Sequence, residues 1–380
     1  MLRPGHRFEG QVRDLSSDGQ AVVAHPDGRI FFVPGAWSGE AGLFEVTSLK
    51  GRMGFARVVS LTRQSPHRRA SPCPHHGFDS DSCGGCPWLF VDYAQQLLSK
   101  QQQVIKHLQP LNDALCIADI WAAPDELGYR NRAQLKTDGR QLGYVAANSR
   151  QIAEVKDCLI LNDANRHTLQ ALRAQLPNAS WKPDRKKDWT TLDIDDAIGV
   201  DQVTINARRP FRQGNSAQNQ RMREWLGDRV AAINASAAVV ELFAGSGNFT
   251  EVLASAGCGS VCAVDSFHPA IQALAQRSLP GVSGLCSDLG REGSAADIQV
   301  QLAAAQILVL DPPREGLKNL DDYLALAPRL STIFYISCNL ATLTRDLQVA
   351  RSHKFVLQEV QPLDLFPQTP HVEILTMLTR

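Results

Sequence analysis

No stretch of the 380 residues comes near the roughly 18 to 20 consecutive apolar residues of a membrane span. The opening Met1-Leu2-Arg3-Pro4-Gly5-His6 also lacks the apolar run of a secretory leader. A membrane-embedded or exported protein is therefore not expected, and a cytoplasmic one is. An excess of one charge is missing too: 39 Lys/Arg balance 39 Asp/Glu. A polyanionic partner would have to be met by local patches. Residues 1–72 hold ten Lys/Arg against six Asp/Glu, and 205–225 hold Arg208, Arg209, Arg212, Arg221 and Arg223 against Glu224 alone. Both patches fit a phosphate-bearing ligand, and both fit an ordinary solvated face. The nine cysteines are odd in number, and Cys116, Cys258, Cys262, Cys286 and Cys338 are scattered among apolar or helical segments. That is the pattern of a reducing compartment, not of a disulfide framework. Internal repeats and low-complexity tracts are absent.

What is present is a chain long enough for two or three domains, with 44% hydrophobic residues to build their cores. Residues 6–62 alternate in short runs (Arg7–Val12, Ala21–Ala24, Arg29–Val33, Phe44–Thr47, Phe55–Val59) around a Pro26-Asp27-Gly28 turn. About five strands in sixty residues predict a small closed barrel of the oligonucleotide-binding kind. A helix is expected from Tyr93 to Leu108. From about 128 to 207 the pattern predicts a mostly antiparallel sheet region without long helices. After Gln218 the pattern changes: a helix over 218–232 precedes apolar strands at 237–242, 260–265, 306–310 and 331–336, alternating with helices. Strands apolar throughout predict a parallel, doubly wound α/β sheet covered on both faces. The expected organisation is multidomain: a barrel at 1–64, a central β domain from 65–92 and 121–210, and a Rossmann-like α/β domain from 93–120 and 211–380.

Three segments of the last domain carry chemistry. Glu241-Leu242-Phe243-Ala244-Gly245-Ser246-Gly247-Asn248 closes one strand and opens a helix, and the next strand ends in Asp265. Glycines let a ligand approach the backbone, and an acid at that point can accept both hydroxyls of a ribose. The third glycine of the dinucleotide fingerprint is lacking, so S-adenosylmethionine is favoured over a nucleotide and over a purely structural turn. Leu310-Asp311-Pro312-Pro313-Arg314 then ends a strand with a proline-stiffened loop over the same edge. Amino methyltransferases usually place an aromatic residue after such prolines; here Arg314 follows. Ser337-Cys338-Asn339 ends the next strand with a thiol. A lone cysteine is more often a small buried hydrophobe than a nucleophile. Beside a methyl donor, however, a thiolate adding to C6 of a pyrimidine makes C5 electron-rich enough to be methylated. A base must then remove the C5 proton, and His371 and Glu373, two apart in Pro370-His371-Val372-Glu373, offer one face of a strand for that role.

Taken together and in this order, Ala244-Gly245-Ser246-Gly247-Asn248-Phe249, Asp311-Pro312-Pro313-Arg314-x-Gly316-Leu317, Tyr335-x-Ser337-Cys338-Asn339 and Phe366-Pro367-x-Thr369-x-His371-Val372-Glu373 make the chain resemble the RNA 5-methyluridine methyltransferases over essentially its whole length. The resemblance implies Cys338 as nucleophile, Glu373 as the C5 base and Asp311 as a contact to both uracil and cofactor. It implies Gln213, Phe243, Gly245, Gly247, Asn248, Asp265 and Asp288 around S-adenosylmethionine. It also implies Phe211, Arg314, Arg130 and Arg132 on the RNA, with the target base extruded from its stack. Two positions depart from the family pattern: Asp288 stands where an asparagine is expected, and Asp265 where Glu is commoner.

Cys73-x9-Cys83-x2-Cys86, with Cys158 far downstream, offers four soft ligands. Spacing alone suits zinc first, an iron–sulfur cluster second and unliganded thiols third. The resemblance reverses the first two and implies a [4Fe–4S] cluster that shapes the RNA-binding domain, although the first gap is longer than the family's; His75 and His76 are fallback ligands. The amino-terminal barrel resembles a TRAM domain, whose basic balance would add sequence-independent affinity for phosphates. The expected substrate is a structured RNA, 23S ribosomal RNA before transfer RNA, acted on by a monomer. Cytosine-C5 methylation is a second expectation, though the cysteine usual after the proline in those enzymes is replaced here by Pro313-Arg314. A non-catalytic RNA-binding module is the third.

Overall fold

The computed structural model describes residues 2–112, 114–147, 149–233 and 236–380. The chain divides into two compact units. One comprises Met1–Ser99, Asp125–Ala207 and Phe366–Pro370, and the other Lys100–Pro124, Arg208–Leu365 and His371–Arg380.

In the first unit, β1 (Arg7–Leu15), β2 (Ala21–Ala24), β3 (Ile30–Val33), β4 (Ala41–Lys50) and β5 (Met53–Arg63) form a closed barrel in the order β1-β2-β3-β5-β4. Alternation decides what fills it: Val12, Val23, Phe31, Phe44 and Val46 point inward and are buried. Closure leaves no edge strand to be protected. Strands β4 and β5 outrun the alternating sequence because Thr47–Lys50 are exposed and β5 is mostly exposed beyond Val58. Hydrogen bonding there continues where burial has stopped. Trp37 meets Trp88 edge-on at 4.9 Å, and Trp88 Nε1 donates to Gly19 O at 3.0 Å. These contacts fasten the cysteine-bearing segment to the barrel.

The rest of this unit is an antiparallel sheet in the order β8-β7-β6-β9, from β6 (Arg132–Thr137), β7 (Leu142–Val145), β8 (Ile152–Glu154) and β9 (Thr190–Asp195). It meets the expectation for 128–207, with one addition: a helix at Asp163–Arg173, capped by Asn162 Oδ1 accepting from Asn165 N. Its buried positions are Asn165, Thr168, Leu169 and Leu172, half of them polar, so no apolar stripe announces it.

The second unit is the α/β domain. Its strands are β10 (Ala238–Leu242), β11 (Ser260–Asp265), β12 (Val282–Cys286), β13 (Ile307–Leu310), β14 (Thr332–Ser337), β15 (Val356–Leu363) and β16 (Glu373–Thr379), in the order β12-β11-β10-β13-β14-β16-β15. The first five are parallel; β16 runs antiparallel to both β14 and β15. Every residue of β13 and β14 is buried, as an apolar run requires. Edge strand β12 was not distinguishable as an apolar run because none of its five residues is fully buried. Chain order reverses between β10 and β13, which opens a crevice at their carboxyl ends, where such sheets bind ligands.

The expected helix occupies Tyr93–Leu108. Within the second unit its Lys100 Nζ lies 2.5 Å from Asp364 Oδ1, and neither side chain has exposed surface. Gln218 Nε2 bonds Asp364 O at 2.8 Å, and Asn215 Nδ2 bonds Leu365 O at 3.2 Å. This polar knot fixes the end of β15 before the chain continues to its last motif. Removing one partner of a buried pair leaves an uncompensated charge. Lys100→Met should therefore cost about 3 to 5 kcal/mol in chemical denaturation, and adding Asp364→Leu should recover much of that loss.

Candidate functional site

The site grows from the carboxyl ends of β10, β11, β13 and β14, all in the second unit. After β10 the chain turns through Phe243 at φ +64°, Gly245 at φ +56° and Gly247 at φ +96°. A non-glycine residue in that region costs on the order of 1 to 3 kcal/mol and points to a functional turn. A Cβ on Gly247 would stand 2.5 Å from Leu274 Cδ1, whereas one on Gly245 would meet nothing within 4 Å. Gly247 is thus demanded by packing, while Gly245 faces open space a ligand can enter. Asp265, at the end of β11, accepts from Gly245 N and Phe267 N, both at 2.8 Å. Arg277 holds the turn from outside through Ser246 O and Gly247 O. Asn248 forms a reciprocal pair with Asn219 at 2.8 and 2.9 Å. Asp288 is exposed and accepts from Gly290 N at 3.1 Å in the turn after β12. An open glycine turn, an acid tethered to it and a parallel-sheet crevice make a fitting cradle for a nucleoside-bearing methyl donor.

The reacting groups stand beside this turn. Asp311 follows β13, and its Oδ2 accepts from Gln213 Nε2 at 3.4 Å. Strand β14 pairs with β16 through Ile336↔Leu375 and Ser337↔Ile374. Carried one residue past its last pair, this register brings Cys338 toward Glu373, whose carboxyl acts on the thiol. Cys338 is half-buried and Glu373 is buried. The strand begins at Glu373, so His371 lies outside it; its Nε2 is 3.0 Å from Arg314 Nη2.

Crowding of acids governs the electrostatics. Burial pushes the Cys338 thiol up to about 12, with the Glu373 and Asp311 carboxyls adding to the rise and Arg314 opposing it. Burial, reinforced by Asp311, holds the Glu373 carboxyl well above its ordinary value. Burial raises Asp311 to about 7 against the Gln213 hydrogen bond. Glu241, bonded to Thr250 Oγ1 at 2.6 Å, is raised to about 8, again chiefly by burial. Without a cation, this edge holds its protons near neutrality.

The expected RNA contacts fall on both units. In the second, Phe211 is 69% exposed beside Arg209 and Arg212, and the Arg208 guanidinium lies 5.5 Å from the Phe267 ring. In the first, Arg130 lies 5.3 Å from the Phe366 ring, and Arg132 bonds bidentately to Asp193. Also in the first unit, Cys73, Cys83, Cys86 and Cys158 line one pocket with His75, His76 and Tyr144. Burial pushes Cys83 up to about 11 and raises Cys86 and Cys158, with neighbouring cysteines adding to each rise. Among the described residues, no three His, Cys, Asp or Glu side chains form a ready ligand cage. The donor chemistry suits a soft metal, while what is built is a convergence of thiols, not a closed coordination sphere. Sequence reasoning missed Arg277 and Asn219, which steady the glycine turn from positions no motif marks. It also missed Asp346, an acid at an apolar position of the helix after Cys338.

A family model described as tRNA (Uracil-5-)-methyltransferase matches residues 293–380. An uncharacterized RNA methyltransferase of Nitrosomonas europaea is 42% identical over 374 residues, covering 97% of this chain and 95% of that protein. The 23S rRNA (uracil(1939)-C(5))-methyltransferase RlmD of Halomonas elongata is 27% identical over 98% of this chain and 89% of its own. Among solved structures, the Pyrococcus abyssi tRNA (uracil-54, C5)-methyltransferase in complex with S-adenosyl-L-homocysteine shares the fold at a TM-score of 0.70 and 18% identity, covering 98% of this chain and all of that one.

The raised thiol yields a test that needs no substrate. In the ligand-free protein, alkylation of Cys338 by iodoacetamide should keep accelerating from pH 7 to 10 without a plateau. Peptide mass spectrometry measures this; a plateau below pH 8 would contradict the electrostatics described.

Proposed function

We propose, on the premise that the chain belongs to the RNA 5-methyluridine methyltransferase family, that it methylates C5 of a uridine in a structured RNA through a covalent Cys338 adduct. The observation that supports this reading is the β14–β16 register, which, carried one residue on, brings Cys338 toward Glu373 at the edge where the glycine turn opens, with Asp311 also acting on the thiol. S-adenosylmethionine supplies the methyl group and a positive charge. Residues of this chain would hold it: Asp265 at the ribose, Gly245, Gly247, Phe243 and Asn248 along the turn, Asp288 toward the adenine, and Gln213 with Asp311 near the reacting end. A cation beside the buried Glu241 and Glu373 and the half-buried Asp311 favours their ionised forms and offsets part of the repulsion the thiolate feels. Cys338 also immediately precedes Asn339, which caps the helix Leu340–Ser352 through Ala341 N and Thr342 N. A helix amino terminus adds further support for a thiolate.

The chemistry then follows from the residues. The Cys338 sulfur adds to C6 of the extruded uracil, and the electron pair displaced onto C5 takes the methyl group. The Glu373 carboxylate removes the C5 proton, and the returning electrons expel the Cys338 thiolate, leaving 5-methyluridine. Asp311 orients the ring, Phe211 packs against it, and Arg314, Arg130 and Arg132 hold RNA. Extrusion costs a few kcal/mol and favours loop nucleotides. The barrel, as a TRAM-like module, adds affinity through phosphates.

We assign 23S ribosomal RNA as substrate because the relatives bearing that name match nearly the whole chain, barrel included. Transfer RNA is the alternative favoured by the family model and by the full-length structural match. The protein acts in the cytoplasm as a monomer. Cys73, Cys83, Cys86 and Cys158 hold a [4Fe–4S] cluster that supports the RNA-binding unit and transfers no electrons, with zinc as the alternative occupant of the same thiols.

Two experiments decide these points. Cys338→Ala should abolish turnover and the denaturant-stable adduct with 5-fluorouridine RNA, while Glu373→Gln should slow turnover by about 100-fold or more and let adduct accumulate. Nucleoside analysis should give 5-methyluridine, and mapping in cells with and without the gene should place the loss in 23S RNA; 5-methylcytidine or a transfer-RNA site would reassign the substrate. Protein purified without oxygen should contain iron and sulfide near four of each per chain, lost in Cys86→Ser; zinc alone, or neither metal, would remove the cluster.

A further inference from the structure

Asp346 is an acid on a helix face that is otherwise apolar. In the helix Leu340–Ser352 the buried positions are Leu340, Leu343, Asp346, Leu347 and Ala350, and Asp346 is 1% exposed. Its carboxylate is engaged on both oxygens. Oδ2 accepts from Leu317 N at 2.9 Å and from the Tyr335 hydroxyl at 2.5 Å, and Oδ1 accepts from Arg345 Nε at 2.7 Å. Tyr335 belongs to β14, the strand that ends beside Cys338. Leu317 closes the loop that begins at Asp311. One buried carboxylate therefore ties the thiol's strand to the loop carrying Asp311 and Arg314.

Its neighbours hold the same loop. Thr342 Oγ1 donates to Arg314 O at 3.0 Å, and Arg345 Nη2 donates to Glu315 O at 3.0 Å. The loop approaches this closely because residue 316 is glycine: it sits at φ +66°, and a Cβ there would lie 2.5 Å from Asp346 Oδ2. Burying a carboxylate is costly where an aliphatic side chain could fill the space, so helix packing alone does not account for the acid. What the acid adds is directional: it orients a loop.

The charged groups that act on the Cys338 thiol are Glu373 from β16 and Asp311 and Arg314 from this loop. Arg314 is the only cation of the three. We infer that Asp346 is a positioning residue, which locks the Asp311–Leu317 loop against β14 so that the Arg314 charge stays near the Cys338 sulfur. The inference rests on the reading of Cys338 as nucleophile, but its test reads the thiol directly.

The test compares wild type, Asp346→Asn and the milder Thr342→Val. The primary readout is the pH dependence of Cys338 alkylation by iodoacetamide, followed on the Cys338 peptide, alongside melting temperature, S-adenosylmethionine affinity, kcat and KM. Asp346→Asn should leave cofactor affinity within about twofold yet slow Cys338 alkylation at pH 9 by about tenfold, the equivalent of one pKa unit. Turnover should fall about tenfold or more, in kcat and not in KM for the cofactor. Thr342→Val should shift both in the same direction by a smaller factor. A folded Asp346→Asn whose alkylation profile superimposes on wild type would overturn the proposal. If Asp346→Asn does not fold, an unchanged profile in Thr342→Val does the same. Absence of RNA methylation by wild type would sink the enzymatic reading while leaving the alkylation comparison intact.

Discussion

Three carboxyls and a thiol share one buried edge of a sheet, and they cannot all be charged at once. Burial favours the proton on Glu241, Asp311 and Glu373, the Asp311 carboxyl adds repulsion at Glu241 and Glu373, and burial together with Glu373 and Asp311 raises the Cys338 thiol. Here Arg314 is the cation that acts directly on the thiol, and it stands at the rim. Clustered acids of this kind favour a positively charged ligand, as a sulfonium donor would be. The glycine turn after β10 and the thiol after β14 open on the same carboxyl edge, with β13 and its Asp311 loop between them.

The topology makes the pairing of thiol and acid possible. In an antiparallel pair the start of one strand lies at the end of the other. Because β16 enters antiparallel to β14, its first residue, Glu373, arrives at the carboxyl edge of the parallel strands, next to the end of β14 that leads into Cys338. Had the last strand continued the parallel run, its first residue would have fallen at the opposite edge, more than a strand's length away. The reversal is thus what gathers Glu373 and the Cys338 segment at one edge of the sheet. The knot of Lys100, Asp364 and Gln218 fixes the end of β15, the strand that pairs with the other side of β16.

Much of this was legible in the residues, for identifiable reasons. Barrel strands announced themselves by alternation and the parallel strands by unbroken apolar runs, because in both cases the buried face dictates composition. The glycine turn, the Asp311 loop and the Cys338 junction were legible because each needs residues that packing alone would not select. Where burial is weak the signal fades: β12 has no fully buried residue, and the helix Asp163–Arg173 buries as many polar positions as apolar ones. Arg277 and Asn219 act on the glycine turn through bonds that join residues tens of positions apart, and no local pattern encodes such a meeting.

Asp346 shows the opposite case, a signal present in the sequence but readable only with the fold. An acid in register with Leu340, Leu343, Leu347 and Ala350 contradicts the helix's own periodicity. Such a contradiction has two physical resolutions: the acid is partly solvated, or buried donors await it. The structure supplies the donors, and two of them come from β14 and from the loop that follows β13. A buried charge of this kind is a weak source of net stability because desolvation offsets the bonds it makes. Its hydrogen bonds are nevertheless directional in a way that aliphatic packing is not. That distinction separates a residue kept for geometry from one kept for cohesion.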